Sequence, residues 1–303
     1  MRAVDFQPTE DQRALRAGVR DLLEGRYGRE VLRADLDGGA GIDRAVWREL
    51  GRAGFFALRL AEAGGGVGLG LPEAALVFEE AGRVLLPGPL VATHLAAGTV
   101  PGAAEGEAVV TALDLGDGLV THLDDADAVL GLPGTPPRGE PVRSADPMTP
   151  LHRVAGCGPD LSAYRETGAL LTAALQTGSA LRTVELAVRY AGEREQFGQP
   201  VGAFQAVKHL CAGMLVRAEV ARTAVYAAAV TADGAEIAAA KLLADGAAVG
   251  NARDCLQVHG GMGFTWESDV HLHLKRAWLR AEQWRTAAEA EELLAADLMG
   301  SAR

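Results

Sequence analysis

Four long alanine- and leucine-rich segments fill the chain from Thr167 onward, and they constrain the fold more than any other feature. Apolar residues recur at helical spacing over Thr167 to about Arg194, Gly202 to about Thr231, Ala235 to about Val258 and Asp269 to about Met299. That period gives each segment a continuous apolar stripe, which is stable only when buried against another. At 1.5 Å per residue the first segment makes a helix of roughly 40 Å. Four such helices joined by short loops predict an antiparallel four-helix bundle over residues 161–303.

The first hundred residues also read as helices. Pro8-Thr9-Glu10 opens an amphipathic run to about Arg26, with Leu15, Val19, Leu22 and Leu23 at helical spacing. A second helix runs from about Asp43 to Ala53. A glycine-dense loop, Gly64 to Gly70, precedes Leu71-Pro72-Glu73, which suits the first turn of a helix reaching about Leu85. Pro87-Gly88-Pro89 breaks that helix, and a short one follows from Leu90 to about Ala97. These segments define an N-terminal α-helical domain, residues 1–104. Between 105 and 160 the pattern changes: valines alternate weakly in Ala108–Leu113 and Gly118–Leu123, and Pro133–Pro141 is too proline-rich for regular structure. This region predicts a small β insert of four or five short strands, so the chain is mainly α.

Charge and cysteine content exclude several functions. With 29 basic and 40 acidic side chains the net charge is −11, whereas a nucleic-acid surface needs a concentrated excess of lysine and arginine. No long uncharged apolar stretch predicts a membrane span, and Met1–Phe6 carries no apolar signal core. Cys157, Cys211 and Cys255 lie far apart without a CxxC pair, as expected of a cytoplasmic protein in a reducing compartment. The Gly64–Gly70 loop fits neither GxGxxG nor a P-loop, so it reads as a structural turn. His271 and His273 are two apart and face different sides of a helix, and no HExxH accompanies them, so no metal site is expected. No GxSxG elbow supports a serine nucleophile.

Two segments carry more chemistry. Tyr190-Ala-Gly-Glu-Arg-Glu-Gln-Phe-Gly198 ends one helix and leads through Pro200 to Phe204-Gln205 at the start of the next. Arg194, Gln196, Phe197 and Gln205 thus gather at one helix–helix corner, offering a guanidinium fork, amides and an aromatic face to a pyrophosphate and a ring. The same spacing also describes a solvated helix-terminal Arg194 and a Phe197 that plugs the core. In Gln257-Val-His-Gly-Gly-Met-Gly-Phe264, three glycines in four positions let backbone approach a ligand. An ordinary helix-capping turn has the same composition.

Taken together, Arg194-x-x-Phe197-Gly198, Phe204-Gln205 and Gln257-x-x-Gly260-Gly261-x-Gly263-Phe264 resemble the acyl-CoA dehydrogenase family. The run Trp47…Gly54-Phe-Phe…Gly65-Gly-Val-Gly-Leu69…Phe78-Glu-Glu-Ala-Gly-Arg83 is similar to the same family. The resemblance covers residues 5–100 and 165–285, about two thirds of the chain. It implies an N-terminal helical domain, a middle β-domain and a C-terminal bundle, with FAD-dependent α,β-dehydrogenation of an acyl-CoA thioester. In that chemistry a glutamate takes the α-proton and the flavin accepts the β-hydride, and electrons leave through an electron-transfer flavoprotein. The resemblance further implies a flavin gripped by two chains: one chain's β-domain holds the ring, and the neighbour's bundle corner holds the ADP portion. On that pattern Arg194, Gln196, Phe197, Gln205, Gln257, Gly260 and Gly261 are the cofactor-binding residues.

The departures from the family are specific. Family β-domains are about twice as long as residues 105–160, and their Thr-Glu-Pro…Gly-Ser-Asp and Trp-Ile-Thr-like stretches are missing between Ala104 and Asp160. Counting from Gly263-Phe264 places Trp284 where the usual glutamate stands, within Ala281-Glu-Gln-Trp-Arg-Thr286. The family's other base position falls on Gly168. Glu166 is two residues away, a helical rotation of about 200°. A missing general base typically costs roughly 10²–10⁴-fold in rate. The resemblance therefore implies a short, catalytically incomplete subunit with no catalytic residue of its own. It would share FAD with a full-length acyl-CoA dehydrogenase in a heterotetramer of two short and two long chains, acting on a bulky acyl-CoA such as a steroid side chain. Two alternatives stay open: a self-sufficient homomeric dehydrogenase using Glu166 or Glu282 as base, and a flavin-free scaffold subunit.

Overall fold

The computed structural model describes residues 8–39, 41–156 and 158–301. The readings made on Met1–Phe6 and Cys157 lie outside the described residues. The architecture is mainly α with a small β insert. Helices α1 (Glu10–Arg26), α2 (Arg29–Gly38), α3 (Arg44–Arg52), α4 (Leu71–Arg83) and α5 (Leu90–Ala96) come first. Five short strands follow: β1 (Val110–Thr111), β2 (Leu119–Thr121), β3 (Ala128–Val129), β4 (Glu140–Val142) and β5 (Leu151–Arg153). Then come α6 (Ser162–Glu193), the two-residue strands β6 (Glu195–Gln196) and β7 (Gln199–Pro200), and α7 (Gln205–Thr231), α8 (Gly234–His259), α9 (Val270–Ala281) and α10 (Ala287–Ser301).

Local chemistry explains the helix starts. Thr9 accepts from the Gln12 amide while the Gln12 side chain accepts from Thr9, a closed capping box at α1. Asp43 and Asp233 cap α3 and α8 through their carboxylates. Glu73 reaches back to the Gly70 amide at α4. Helix α2 is absent from the sequence reading; it is a short element whose Leu32 and Leu36 pack on the core between Gly28 and a left-handed Gly39.

The β region forms two small sheets, a parallel β1–β3 pair and an antiparallel β2–β5–β4 sheet. The proline run expected to be irregular ends in strand, since Glu140–Val142 pairs with β5. Val120, Leu123, Val129 and Val154 make a separate small core there. One larger core joins the N-terminal helices to the bundle.

Polar ties fix the two helical regions to each other. Arg20 of α1 grips the buried Glu80 of α4 at 2.7 and 2.8 Å. Glu79, one residue earlier, accepts from Tyr226 of α7 at 2.8 Å with Arg222 at 3.4 Å.

The long helix predicted over 269–299 is two helices, and tertiary contacts make the break. The Lys241 ammonium, buried in α8, donates to Asp245 at 2.5 Å and to the terminal carbonyls of Arg280 and Ala281 at 3.1 and 3.3 Å. A cation at those carbonyls satisfies groups that a continuing helix would otherwise occupy. The Trp284 amide then donates to the Asp114 carbonyl at 2.9 Å, and Trp284 takes a left-handed φ of 63°. Thr286 and Glu289 cap the new helix reciprocally, a Thr-x-x-Glu signal present in the sequence. The first bundle helix also starts earlier than predicted, at Ser162 rather than Thr167.

Candidate functional site

The corner between α6 and α7 is built by a tight hairpin. Helix α6 ends at Glu193, Arg194 leaves it in extended conformation, and the Arg194 carbonyl accepts from the Val201 amide at 2.7 Å. Between them β6 and β7 pair through a two-residue turn at Phe197 (φ 54°) and Gly198 (φ 80°). Such turns need positive φ at both central residues. Glycine adopts this freely; phenylalanine does so at a cost of roughly 1–3 kcal/mol. The strained Phe197 is also 90% exposed; among the described aromatic rings it meets the edge of Phe204, at a 6.0 Å centroid distance. It is therefore no core plug, and that reading of the sequence falls.

Opposite this hairpin, α8 ends in Gln257-Val258-His259 and turns at Gly260. Gly260 has φ 58° and ψ −138°, a region essentially reserved for glycine. Between hairpin and turn lies an open cleft of about 550 Å³. The structure brings six of the seven predicted residues into its walls: Arg194, Gln196, Phe197, Gln257, Gly260 and Gly261. Gln205 does not line it; it is exposed as the first residue of α7.

Tyr190 and His259, to which the sequence alone assigns no role, also line the cleft. Tyr190 lies one helical turn before Arg194, and its ring stacks on His259 at 4.1 Å. His259 Nδ1 donates to the Cys255 carbonyl at 2.8 Å, which leaves Nε2 as an acceptor. Burial, with Arg189 nearby, lowers the imidazole pKa and keeps it neutral at pH 7. Arg194 is exposed and forms no ion pair among the described residues. A free guanidinium, a neutral stacked ring pair and a backbone turn without side chains suit an anion carrying an aromatic base.

The positions assigned to a catalytic base lie elsewhere, and they touch each other. Trp284, only 4% exposed, packs on α6 so closely that a Cβ on Gly168 would collide with its indole. Glu166 is held away by Arg285, which donates at 2.6 and 3.1 Å to its two carboxylate oxygens. Both line a second cavity, bordered also by Asp114 and Pro159–Ser162, that shares no residue with the hairpin cleft. Glu282 is exposed at the end of α9. The two neighbouring histidines also part company: His273 is buried against Ser179 at 2.8 Å, while His271 stacks on Trp266.

Comparison with known proteins agrees with this layout. Residues 166–290 match the acyl-CoA dehydrogenase C-terminal domain, and residues 9–107 match the N-terminal domain of the same family. Acyl-CoA dehydrogenase IpdE2 of Mycobacterium tuberculosis is 36% identical, over 89% of this chain and 92% of that protein. Among solved structures, the ChsE4-ChsE5 complex from Mycobacterium tuberculosis superposes with a TM-score of 0.84 at 23% identity, covering 98% of this chain and 99% of that one. A variant of the Tcur3481-Tcur3483 steroid acyl-CoA dehydrogenase gives 0.83 at 24% identity, over 97% and 99%. These two likenesses establish fold. By its two domain matches and a relative 36% identical over 89% of its length, this chain belongs to the acyl-CoA dehydrogenase family.

Proposed function

We propose that this chain is the short, catalytically incomplete subunit of a heteromeric acyl-CoA dehydrogenase and completes a partner's FAD site across their interface. The observation that carries this reading is the contrast between two places. The positions expected of the base are held by Gly168 and Trp284, packed on each other without a carboxylate, while the corner expected to grip the ADP portion is open, cationic at Arg194 and tipped by an exposed Phe197.

The residues present fit that portion of FAD. Arg194 would fork onto the pyrophosphate. Phe197 would cover the adenosine end, with the neutral His259 Nε2 as a hydrogen-bond acceptor toward it. Gln257 and the Gly260-Gly261 backbone would lie against the phosphates, where a side chain at Gly260 would be strained. Gln205, outside the cleft wall in the single chain, would act only on a ligand extending past the hairpin. When bound, the flavin supplies the hydride acceptor; the full-length partner would supply the glutamate, the ring contacts and most of the acyl-CoA contacts, with an electron-transfer flavoprotein as acceptor.

Several observations support heteromeric assembly. Phe197 and Met262 are exposed in the cleft wall, and Phe264 and Trp266 are exposed a few residues further along the chain; apolar exposure of that kind marks an interaction surface. The ChsE4-ChsE5 neighbour is itself a complex of two named proteins. A bulky substrate is supported by the steroid named for the other neighbour. The homomeric alternative needs Glu166 or Glu282 as base, but Glu166 is engaged by Arg285 and Glu282 lines neither the hairpin cleft nor the second cavity.

The test is flavin content by visible spectrum, with protein concentration measured on the same sample. The chain purified alone should carry no stoichiometric flavin, and co-expression with a full-length acyl-CoA dehydrogenase should restore it. A stoichiometric flavin in the isolated chain would overturn the reading in favour of the homomeric enzyme. Flavin content of the complex that ignored Arg194→Ala would favour the scaffold.

A further inference from the structure

Where the N-terminal helices, the β insert and α9 meet, a narrow cavity of about 30 Å³ is walled by Arg276, Arg280, His122, Asp114, Thr121 and Thr149, among others. Arg276 and Arg280 are each 4% exposed and His122 is 2% exposed. Among the described residues, Arg276 Nη2, Arg280 Nη1 and His122 Nδ1 have no hydrogen-bond partner. The nearest carboxylate oxygen to His122 Nδ1 is that of Asp125, at 3.8 Å.

The charges around this cavity do not balance. Arg276 is paired with the buried Asp146 through Nε, and its Nη1 donates to the Leu85 and Leu86 carbonyls at 3.4 and 3.3 Å. Asp146 is itself saturated by Thr149 and the Met148 amide. The Asp114 carboxylate accepts from Gln283 at 2.9 Å, and burial pushes its pKa up to about 7, so near neutrality it carries only part of a charge. Lys241 is matched by Asp245. Burial lowers the His122 imidazole, which stays uncharged. Arg280 makes no ion pair among the described residues; the nearby Asp146 carboxylate that acts on it is already engaged by Arg276, the like charge one helical turn away on the same face of α9.

A guanidinium is not deprotonated in proteins, and an unpaired buried charge costs several kcal/mol. Water fills hydrogen bonds but brings no countercharge. The cavity has room for one or two water-sized bodies, too small for a phosphate ester or an acyl chain.

We propose that this cavity binds a small monovalent anion of halide size, held between the free guanidinium nitrogens of Arg276 and Arg280. Bound there, the anion would offset the two like charges of α9 in a cavity that α5 and the end of β2 also border, beside Trp284. The proposal concerns this chain alone and does not depend on the flavin reading.

The test uses the purified full chain in whatever assembly it forms. Crystals grown in sodium bromide should show an anomalous peak in the cavity beside Arg276 and Arg280. In solution, the thermal midpoint should be higher in chloride or bromide than in gluconate at the same ionic strength, and Arg280→Met should abolish that difference. Cavity density without anomalous signal, or a halide effect equal in wild type and Arg280→Met, would overturn the proposal. Should Arg280→Met fail to fold, the bromide crystal decides alone.

Discussion

The turn between α9 and α10 and the corner between α6 and α7 both join long helices, yet one is sealed by packing and the other stands open. At the sealed turn a left-handed Trp284 is stabilised from several sides: its amide bonds to Asp114, its indole lies on Gly168, and Arg285 beside it pairs with Glu166. At the open corner a left-handed Phe197 has almost no intramolecular support and is 90% exposed. Backbone strain that the fold itself repays is structural. Strain without intramolecular return points to a contact made with another molecule.

The largest effect expected from this contrast is on stability at the sealed turn. Trp284→Ala removes a buried indole and should lower unfolding free energy by about 3–5 kcal/mol, read from urea denaturation at neutral pH. If that variant proved as stable as wild type, the turn would be no more structural than the corner.

Next in size, Arg194→Ala should leave stability unchanged but weaken flavin retention by the complex by about 1.5–3 kcal/mol, the usual range for a charged hydrogen bond. Titration of the apo complex with FAD measures it.

Acid should also separate the two regions. His273 in α9 is fully buried, and burial beside Arg182, Arg280 and Arg276 drives its pKa down to about 3. The unfolded imidazole binds a proton near its ordinary value of about 6.5, while the folded one stays neutral, so this stabilisation is complete above that value and lost as pH falls toward 3. Each unit below 6.5 should remove about 1.4 kcal/mol. Urea midpoints at successive pH values check this, and His273→Gln should flatten the dependence. His259 in the cleft is only half-buried and should contribute far less.

The smallest expected effect is the most diagnostic. Phe197→Ala should change the stability of the single chain by under about 0.5 kcal/mol, as exposed substitutions do, while reducing co-purification with a full-length partner. A large loss of stability would place Phe197 on the structural side of the comparison.

What could be read in advance follows the range of the forces involved. Helical period and punctuation are local, so α1, α3, α4, α5 and the three long bundle helices lie within a few residues of their predicted spans. The hairpin residues and the Gly260 turn were legible for the same reason: glycine and proline mark where a helix must stop. Tyr190 and His259 were not, because their pairing depends on how α6 meets α8. Gln205 failed differently, since adjacency in sequence to Phe204 did not carry it into the cleft wall.

The sequence by itself determined a mainly helical chain with a short β insert, the family, and the residues that form the α6–α7 corner, because spacing and backbone preference act over a few residues. Only the tertiary structure decided that α9 stops at Ala281, that Trp284 and Gly168 pack on one another, and that Arg280 is buried with no ion pair among the described residues. Each of these depends on groups remote along the chain — Lys241, Asp114, Glu166, Asp146 — and long-range electrostatics and packing leave no local pattern in a sequence.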